Sequence, residues 1–246
     1  MENYIVGRNA VKEALRGDRS VQRLLVAEDK AQNALRDIVT MAKKQGIEVR
    51  LVPQKQLAKY ADQVPHQGVV AFVNAISFKD LGQVLQECQD PAPLLILTDG
   101  VEDPHNMGAI IRTAECIGAT AVLVPKRHNA PINATVAKTS AGAVELVPIV
   151  QVGNVSQTIK GLQKQGFWVM GAHMEGDRTL YEAEMTLPTV LVIGNEGKGI
   201  SRLVKEACDF LVTIPMYGKL NSLNASVAAA ILMYEAVRQR QVKSSC

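Results

Sequence analysis

The sequence of 246 residues lacks any apolar run close to the roughly 20 residues that a membrane-spanning helix needs. Aromatic residues are also few, at 4%, with a single tryptophan. The opening residues, Met1-Glu2-Asn3-Tyr4, have neither the basic nor the apolar region of a secretory signal. We therefore expect an intracellular, cytoplasmic globular protein without a membrane segment.

Cysteine is scarce as well, and the four that are present, Cys88, Cys116, Cys208 and Cys246, stand far apart. No Cys-x-x-Cys pair and no Cys/His cluster at ligand spacing occurs, which argues against a zinc site or a disulfide framework. No metal site is expected. Reduced and mostly buried thiols are the prediction.

Excess charge of one sign is small, at a formal net +3, but it is unevenly spread. Residues 1–75 contain 12 Lys+Arg against 8 Asp+Glu, a net +4, which leaves −1 for the rest of the chain. A basic excess at the front is compatible with a surface that faces phosphate. Ordinary solvated lysine and arginine faces would explain it equally well.

The first 75 residues alternate helical and extended patterns and predict a small α/β domain of their own. Helices are predicted at 9–16 and 33–45, with a short one ending at residue 61, and strands at 23–28, 48–53 and 68–73. A polar helix at 80–89 and Pro91-Ala92-Pro93 follow, so that 76–93 is interpreted as a linker.

The remainder, 94–246, predicts a second α/β domain. Apolar strands are expected at 94–97, 121–124, 167–171, 189–193 and 210–214, and helices at 107–117, 132–144, 155–165, 200–207 and 223–240. Continuous apolar strands between helices favour a parallel sheet that is covered on both faces. Ligands of such sheets bind beyond the carboxyl ends of the strands.

Three of these strand ends carry candidate site residues, and the first lies between Thr98 and Arg112. Asn106 is placed to cap the following helix, and Gly108 permits close approach of another backbone. Arg112 is expected about a turn and a half into that helix, where a guanidinium could bind phosphate with two hydrogen bonds. A capped helix with a surface arginine is the alternative.

The second strand end opens directly into Gly194-Asn195-Glu196-Gly197-Lys198-Gly199, in which three glycines surround a carboxylate. Such spacing suits a backbone turn pressed against a ligand, although a plain tight turn is the alternative. The order G-x-x-G-x-G differs from the dinucleotide motif G-x-G-x-x-G, and Lys198 is followed by Gly199 where a P-loop needs Ser or Thr. Neither phosphate-binding motif fits.

The third strand end runs from Ile214 through a loop into a long helix. Ser222 or Asn221 is placed to cap this helix. Four apolar or aromatic residues fall on its adjoining turns: Leu223, Val227, Ile231 and Tyr234. An ordinary packing helix is the alternative, but it leaves Ser222 and Asn224 unexplained at a strand-end mouth.

The three strand ends carry an ordered triplet of motifs. These are N-x-G-A-I-x-R from Asn106, I-G-N-E-G-x-G-I from Ile193, and I-P-M from Ile214 with S-L-N-x-S-V-A-x-A from Ser222. The triplet resembles the three motifs of the SpoU (TrmH-type) branch of the SPOUT RNA methyltransferases. At the front, the segments 5–15 and 65–69 resemble the substrate-binding domain that is attached to the ribosomal-RNA members. The tRNA-specific branch typically lacks that domain.

The resemblance implies a parallel-sheet SPOUT domain whose C-terminal segment forms a deep trefoil knot, preceded by a small RNA-binding domain. It implies S-adenosyl-L-methionine as cofactor, a homodimer, and RNA as substrate, above all a guanosine of 23S rRNA; neither DNA nor a membrane is expected as a partner. The implied cofactor-binding residues are Gly194, Gly199, Ile214, Met216 and Leu223. The implied catalytic residues are Asn106, Arg112, Glu196, Ser222 and Asn224.

Under this interpretation the enzyme methylates a ribose 2′-hydroxyl, and positioning of the reactants supplies much of the rate. Because an arginine keeps its proton in proteins, we interpret Arg112 as a phosphate clamp and a stabiliser of the developing alkoxide. The group that takes the hydroxyl proton stays open. A tRNA methyltransferase and a relative that binds rRNA or the cofactor without turnover are the rival hypotheses; motif position and spacing exclude a nucleotide-dependent oxidoreductase.

Overall fold

The computed structural model describes residues 3–16, 21–31, 34–60, 65–73, 78–220 and 222–244. The chain divides into two compact units: unit 1 is Met1–Ser77 with Ile132–Leu146, and unit 2 is Phe78–Pro131 with Val147–Cys246. This division differs from the sequence expectation in two places, because segment 132–146 groups with unit 1 and most of the expected linker groups with unit 2.

Unit 1 contains a four-stranded sheet in the order β1-β4-β2-β3. Strand β4 is antiparallel to both of its neighbours, and β2 is parallel to β3. The strands are β1 (Asn3–Val6), β2 (Val21–Ala27), β3 (Glu48–Val52) and β4 (Val69–Val73). Its helices in the first part of the chain are α1 (Arg8–Arg16), α2 (Arg36–Lys44) and α3 (Gln54–Ala58).

Unit 2 contains a seven-stranded sheet in the order β7-β6-β5-β10-β8-β11-β9, in which every pairing is parallel. Its strands are β5 (Leu94–Asp99), β6 (Ala121–Pro125), β7 (Ile149–Val152), β8 (Trp168–Ala172), β9 (Arg178–Thr179), β10 (Thr189–Gly194) and β11 (Phe210–Thr213). The helices are α4 (Leu81–Glu87), α5 (Pro104–Cys116), α7 (Val155–Gln163), α8 (Arg202–Ala207) and α9 (Ala225–Ser244). The predicted fold class, a parallel α/β sheet preceded by a small α/β unit, is confirmed.

The inserted part of unit 1 consists of helix α6 (Ala134–Thr139) and a 3-10 helix, Ala143–Glu145. The sequence predicted one continuous helix at 132–144, which is wrong because Ala141 and Gly142 both take positive φ, of 54° and 91°. Such left-handed backbone ends an α-helix. A side chain at Gly142 would meet Glu13 of α1, so this corner packs tightly within unit 1.

The expected linker 76–93 carries helix α4, which is capped by the Asp80 side chain through the backbone N–H of Gln83 at 3.0 Å. Its Val84 is buried in the core of unit 2, with Leu81 and Leu85 packed beside it. Helix α4 is therefore packed on the unit 2 core rather than lying in an exposed connection.

The sequence analysis did not predict three of the strands: β1, β7 and β9. Each is short, at four, four and two residues, and each lies at an edge of its sheet. The predicted start of α2 at Asn33 and the predicted end of α3 at Ala61 lie outside the described residues. Within the described residues, α2 begins at Arg36 and α3 ends at Ala58.

The three cysteines that the structure describes are free, but they are less buried than predicted. Cys116 is exposed, Cys88 and Cys208 are half-buried, and Cys246 lies outside the described residues. Desolvation, followed by the charges of Asp209 and Asp99, raises the pKa of the Cys208 thiol to about 12. This thiol therefore stays protonated near neutral pH. No helix in the described part of the chain is long and apolar enough to cross a membrane.

Candidate active site

The carboxyl ends of β5 and β10 lie side by side in the middle of the unit 2 sheet, with Gly194 in register with Asp99. The chain leaves β5 towards β6 on one side, while β10 lies on the other. This is the switch point at which open α/β sheets bind ligands. The Asn195 side chain donates to the carbonyl of Gly100 at 2.9 Å, and the Asp99 carboxylate accepts the N–H of Ser201 at 2.6 Å. The first two motifs are thereby fixed together.

The loop after β10 folds back on itself. The backbones of Asn195 and Gly199 exchange two hydrogen bonds of 2.9 Å, and the Asn195 side chain accepts the N–H of Gly197 at 2.9 Å. A side chain at Gly194 would overlap the backbone of Gly199 and Ile200, with the carbonyl oxygen of Gly199 at 2.6 Å. Gly199 itself has a positive φ of 65°. Both glycines are therefore required by geometry, as the sequence predicted for a close backbone turn.

A polar cluster joins all three motifs. The Asn106 amide donates to the Glu196 carboxylate at 2.7 Å, and the Asn224 amide donates to the Asn106 carbonyl oxygen at 3.0 Å and also to Glu196. Asn106 is buried, at 7% exposed, whereas Glu196 and Asn224 are open to solvent. The three predicted residues thus form one hydrogen-bonded cluster that is partly open to solvent.

Two predicted helix caps are wrong. Helix α5 begins at Pro104, and its cap is Asp103, whose carboxylate accepts the N–H of His105 at 2.9 Å. Proline fits the first helical position because its missing N–H would be unpaired there. Asn106 is thus inside the helix, which leaves its amide available to Glu196.

At the start of α9 the cap is Asn224, since its carbonyl oxygen accepts the N–H of Ser226 at 3.0 Å. The prediction for Ser222 is not met, and Asn221 lies outside the described residues. The Ser226 hydroxyl also donates to this oxygen, at 2.6 Å. Asn224 therefore has two functions, because its oxygen caps α9 while its nitrogen donates into the polar cluster.

A cavity of about 460 Å³ opens beside this cluster. Every predicted cofactor residue lines it, and so do the predicted catalytic residues Glu196 and Ser222. The lining residues that belong to the prediction are Gly194, Glu196, Gly199, Ile214, Met216, Ser222 and Leu223. The volume is within the range of small-molecule sites.

Sequence reasoning missed one wall of the cavity, the segment Ala172–Glu175 after β8. His173 is half-buried there, and its Nδ1 accepts the N–H of Glu175 at 3.1 Å. A neutral ring consequently carries its proton on Nε2. The available signal was the position of this segment at a further strand end of the parallel sheet.

Among the predicted site residues, all of which are described, Arg112 alone neither lines this cavity nor joins the polar cluster. It is exposed on α5, and within the described ranges no hydrogen bond or ion pair joins it to Asn106, Glu196 or Asn224. It is also deeper in the helix than the predicted turn and a half, because α5 starts at Pro104. It lies six positions after Asn106, an offset of about 9 Å along the helix and about a third of a turn around it.

Comparison with known proteins gives two family matches. Residues 93–234 match the SpoU rRNA Methylase family, and residues 4–78 match the family described as RNA 2′-O ribose methyltransferase substrate binding. A Bacillus subtilis (strain 168) protein named for the TrmH family of tRNA/rRNA methyltransferases is 42% identical over 240 residues, which is 97% of this chain and 96% of the relative.

Solved structures are similar as well. The SpoU methyltransferase AviRb from Streptomyces viridochromogenes, in complex with the cofactor AdoMet, is 28% identical, with a TM-score of 0.84 over 98% of this chain and 91% of that one. The A. aeolicus TrmH/SpoU tRNA modifying enzyme is 34% identical, with a TM-score of 0.57 over 66% of this chain and 81% of its own. Since one family match spans more than half of the chain and the Bacillus relative matches nearly all of it, this chain belongs to the SpoU rRNA methylase family.

Proposed function

We propose that this protein transfers the methyl group of S-adenosyl-L-methionine to a ribose 2′-hydroxyl of RNA, most specifically a guanosine of 23S rRNA, in the bacterial cytoplasm. The observation that carries the proposal is the Asn106–Glu196–Asn224 cluster at the rim of the strand-end cavity. It joins all three motifs in one place that is open to a large substrate.

The residues of the cavity fit the cofactor. Gly194 lets the backbone of Gly199 and Ile200 close against it, and this tight turn forms part of the cavity wall. Ile214, Met216 and Leu223 line the same cavity and supply apolar surface. Such a mixture of apolar walls and backbone polar groups suits an adenosine with an amino-acid tail. We also infer that loops 194–200 and 214–223 belong to a trefoil knot, as the family resemblance implies.

The chain's own part in the reaction is positioning and electrostatics. The bound cofactor supplies an electrophilic methyl group on a sulfonium sulfur. Asn106, Glu196 and Asn224 hold one another at the rim and, with Ser222, orient the ribose for an in-line approach. Arg112 keeps its proton, and its guanidinium binds the adjacent phosphate and stabilises the oxygen as negative charge develops.

A homodimer accounts for the position of Arg112. Helix α9 exposes Val227, Ile231 and Tyr234 at 46%, 36% and 56%, at the three- and four-residue spacing of one helix face. Ala229 is fully buried within its own subunit, so it does not belong to this exposed face. We propose that this exposed face pairs with its copy and that the pairing brings Arg112 to the cavity of the partner.

The dimer interface is tested by a charge on this face. Wild-type protein should sediment at about twice the 26.6 kDa chain mass. Ile231→Glu should shift it to monomer and abolish methyl transfer, because each site then lacks the partner's Arg112. Leu51→Glu is the matched control, since Leu51 is an exposed leucine of unit 1, at 55%. A monomeric wild type with full activity would contradict the interface.

The polar cluster is tested at Asn106. Removing its amide leaves Glu196 and Asn224 without one partner each, so that they no longer hold the ribose in line with the methyl group. Since a misplacement of about 1 Å can cost on the order of a hundredfold in rate, Asn106→Ala should lower the single-turnover rate about tenfold or more, with little change in cofactor affinity. His105→Ala, one residue earlier on α5, should keep the wild-type rate. Equal rates in both variants would remove Asn106 from the site.

The choice of RNA rests on unit 1. Residues 4–78 match a substrate-binding family of RNA 2′-O ribose methyltransferases, and the front motifs resemble those of RlmB, the 23S rRNA guanosine 2′-O-methyltransferase. A tRNA methyltransferase is the second candidate, because the A. aeolicus tRNA modifying enzyme matches 66% of the chain at 34% identity. A relative that binds rRNA without turnover is the third hypothesis, which the intact Asn106–Glu196–Asn224 cluster disfavours.

The proposal is tested by incubating the full chain with methyl-labelled S-adenosylmethionine and either naked 23S rRNA or bulk tRNA. Uptake of label into 23S rRNA is the expected result. Label in tRNA alone would favour the second candidate, and RNA binding without any uptake would leave a binding protein.

A further inference from the structure

We propose that Arg8, Lys30 and Lys138, with His66 and Gln67, form the surface of unit 1 that holds the RNA backbone, and we call these five residues the basic surface. The proposal deepens the proposed function and rests on it. Three cations and two neutral hydrogen-bond donors on one edge of a small sheet suit the phosphates and bases of a folded RNA loop.

Hydrogen bonds and contacts bring the basic surface together at one edge of the sheet. Strands β1 and β2 end there and β4 begins there. The N–H of Ala27, at the end of β2, donates to the carbonyl of Gly68, just before β4, at 2.8 Å. The side-chain Oε1 of Gln67 accepts the backbone N–H of Arg8 at 2.9 Å. The stem of Lys30 lies so close to Gly68 that a side chain there would come within 2.8 Å of it.

Lys138 reaches this edge from α6. Its ammonium donates to the carbonyl of Pro65 at 3.3 Å, next to His66 in the chain. Partial burial lowers the pKa of this ammonium. A phosphate oxygen beside it would stabilise the charged form. Lys138 lies far outside the substrate-binding match of residues 4–78, so sequence comparison would not assign it to this surface.

Among the described residues, Arg8, Lys30 and Lys138 have no carboxylate as an ion-pair partner. The first turn of α1 has no acidic residue. Several other basic side chains of unit 1 are engaged: Lys12 pairs with Asp37, Arg16 with Glu13 and Arg50 with Glu48, and Arg23 stacks on Phe72. Unpaired positive charge is what phosphate neutralises.

Two neutral donors complete the surface. The Nδ1 atom of His66 accepts the N–H of Gly68 at 3.0 Å, so that a neutral ring carries its proton on Nε2. Burial, and then the charge of Lys30, lower the pKa of His66, which keeps the ring neutral near pH 7. Gln67 is exposed, and because Arg8 binds only its side-chain oxygen, its amide hydrogens remain available as donors. These groups suit base edges or ribose hydroxyls.

The test compares two double variants of the full chain that remove the same charge. Lys30→Ala/Lys138→Ala should weaken binding of 23S rRNA about tenfold and lower the salt slope of log Kd by about 1.4, at roughly 0.7 for each single-strand phosphate contact. The control is Lys43→Ala/Lys44→Ala. These two lysines lie at the end of α2, just before β3 starts, and thus near the opposite ends of the strands. The control should bind as the wild type does.

Further variants separate charge from structure at Lys138. Lys138→Gln keeps a donor for the Pro65 carbonyl and should lose affinity, whereas Lys138→Arg keeps the charge and should retain it. Cofactor affinity and thermal unfolding should be unchanged in both. RNA affinity of Lys30→Ala/Lys138→Ala within twofold of the control would overturn the basic surface alone. A wild-type chain that neither binds nor methylates RNA would overturn the proposed function and this surface together.

Discussion

Arg112→Ala is expected to lower the single-turnover rate of methyl transfer by on the order of a hundredfold or more, the scale for loss of one preorganised donor to developing charge. Affinity for S-adenosylmethionine should barely change, because Arg112 does not line the cofactor cavity. Arg112→Lys should rescue little, since one ammonium does not reproduce the two-pronged guanidinium on phosphate and oxyanion. Single-turnover methylation at saturating cofactor measures both variants.

The alternative hypothesis, that Arg112 is an ordinary surface residue, makes the opposite prediction. Arg112 is exposed on α5, and an ordinary surface arginine would leave turnover close to normal in both variants. Near-normal rates would therefore place the active centre on another residue. The unfolding temperature of each variant serves as the control for stability, which an exposed side chain should hardly affect.

Mixed dimers determine in which subunit Arg112 acts. If it serves the partner's cavity, a one-to-one mixture of Arg112→Ala chains with chains that bind no cofactor should recover about a quarter of wild-type activity, because half the dimers are hybrids with one complete site. If it serves its own cavity, hybrids have no complete site, and the mixture should be as inactive as its parents. The second outcome would contradict the shared site.

Gly194→Ala supplies the cofactor-deficient chain and is the second large effect. Its methyl group would overlap the backbone of Gly199 and Ile200, which no rotamer change relieves. We therefore expect loss of measurable S-adenosylmethionine binding by calorimetry and a lower unfolding temperature. RNA binding should persist, because the basic surface lies in unit 1 and Gly194 in unit 2.

Gly197→Ala is the matched control for that variant. It stands in the same loop, but a side chain there would meet only the Asn195 carbonyl oxygen at 3.6 Å, an ordinary contact. It should bind the cofactor nearly as well as the wild type does. Normal binding by Gly194→Ala, or equal loss in both variants, would show that close packing at Gly194 is not what shapes the cavity.

Much of this architecture could be predicted from the sequence because its signals are local. The core strands β5, β6, β8, β10 and β11 were all predicted as apolar runs, and β10 is buried throughout. The glycines of the 194–199 loop predicted a tight turn. The same approach missed β9, since two residues, Arg178 and Thr179, give no periodicity.

The errors have physical causes that sequence patterns do not show. The start of α5 was placed too late, because Pro104 was interpreted as part of a loop although proline is well suited to a first helical turn. That shift alone turned Asn106 from a cap into a member of the polar cluster. The break at Ala141 could not be anticipated, because a positive φ at alanine depends on its packing. The contact of Lys138 with Pro65, far apart in sequence, is tertiary and was equally out of reach.

The most direct test of the central claim is the position of the transferred methyl group. After transfer of labelled methyl to 23S rRNA, the RNA is hydrolysed in alkali, which needs a free 2′-oxygen to cleave each phosphodiester. The account predicts label in alkali-resistant dinucleotides that begin with 2′-O-methylguanosine, and none from Arg112→Ala within the same time. Label released entirely in mononucleotides would place the methyl group on a base and contradict the account.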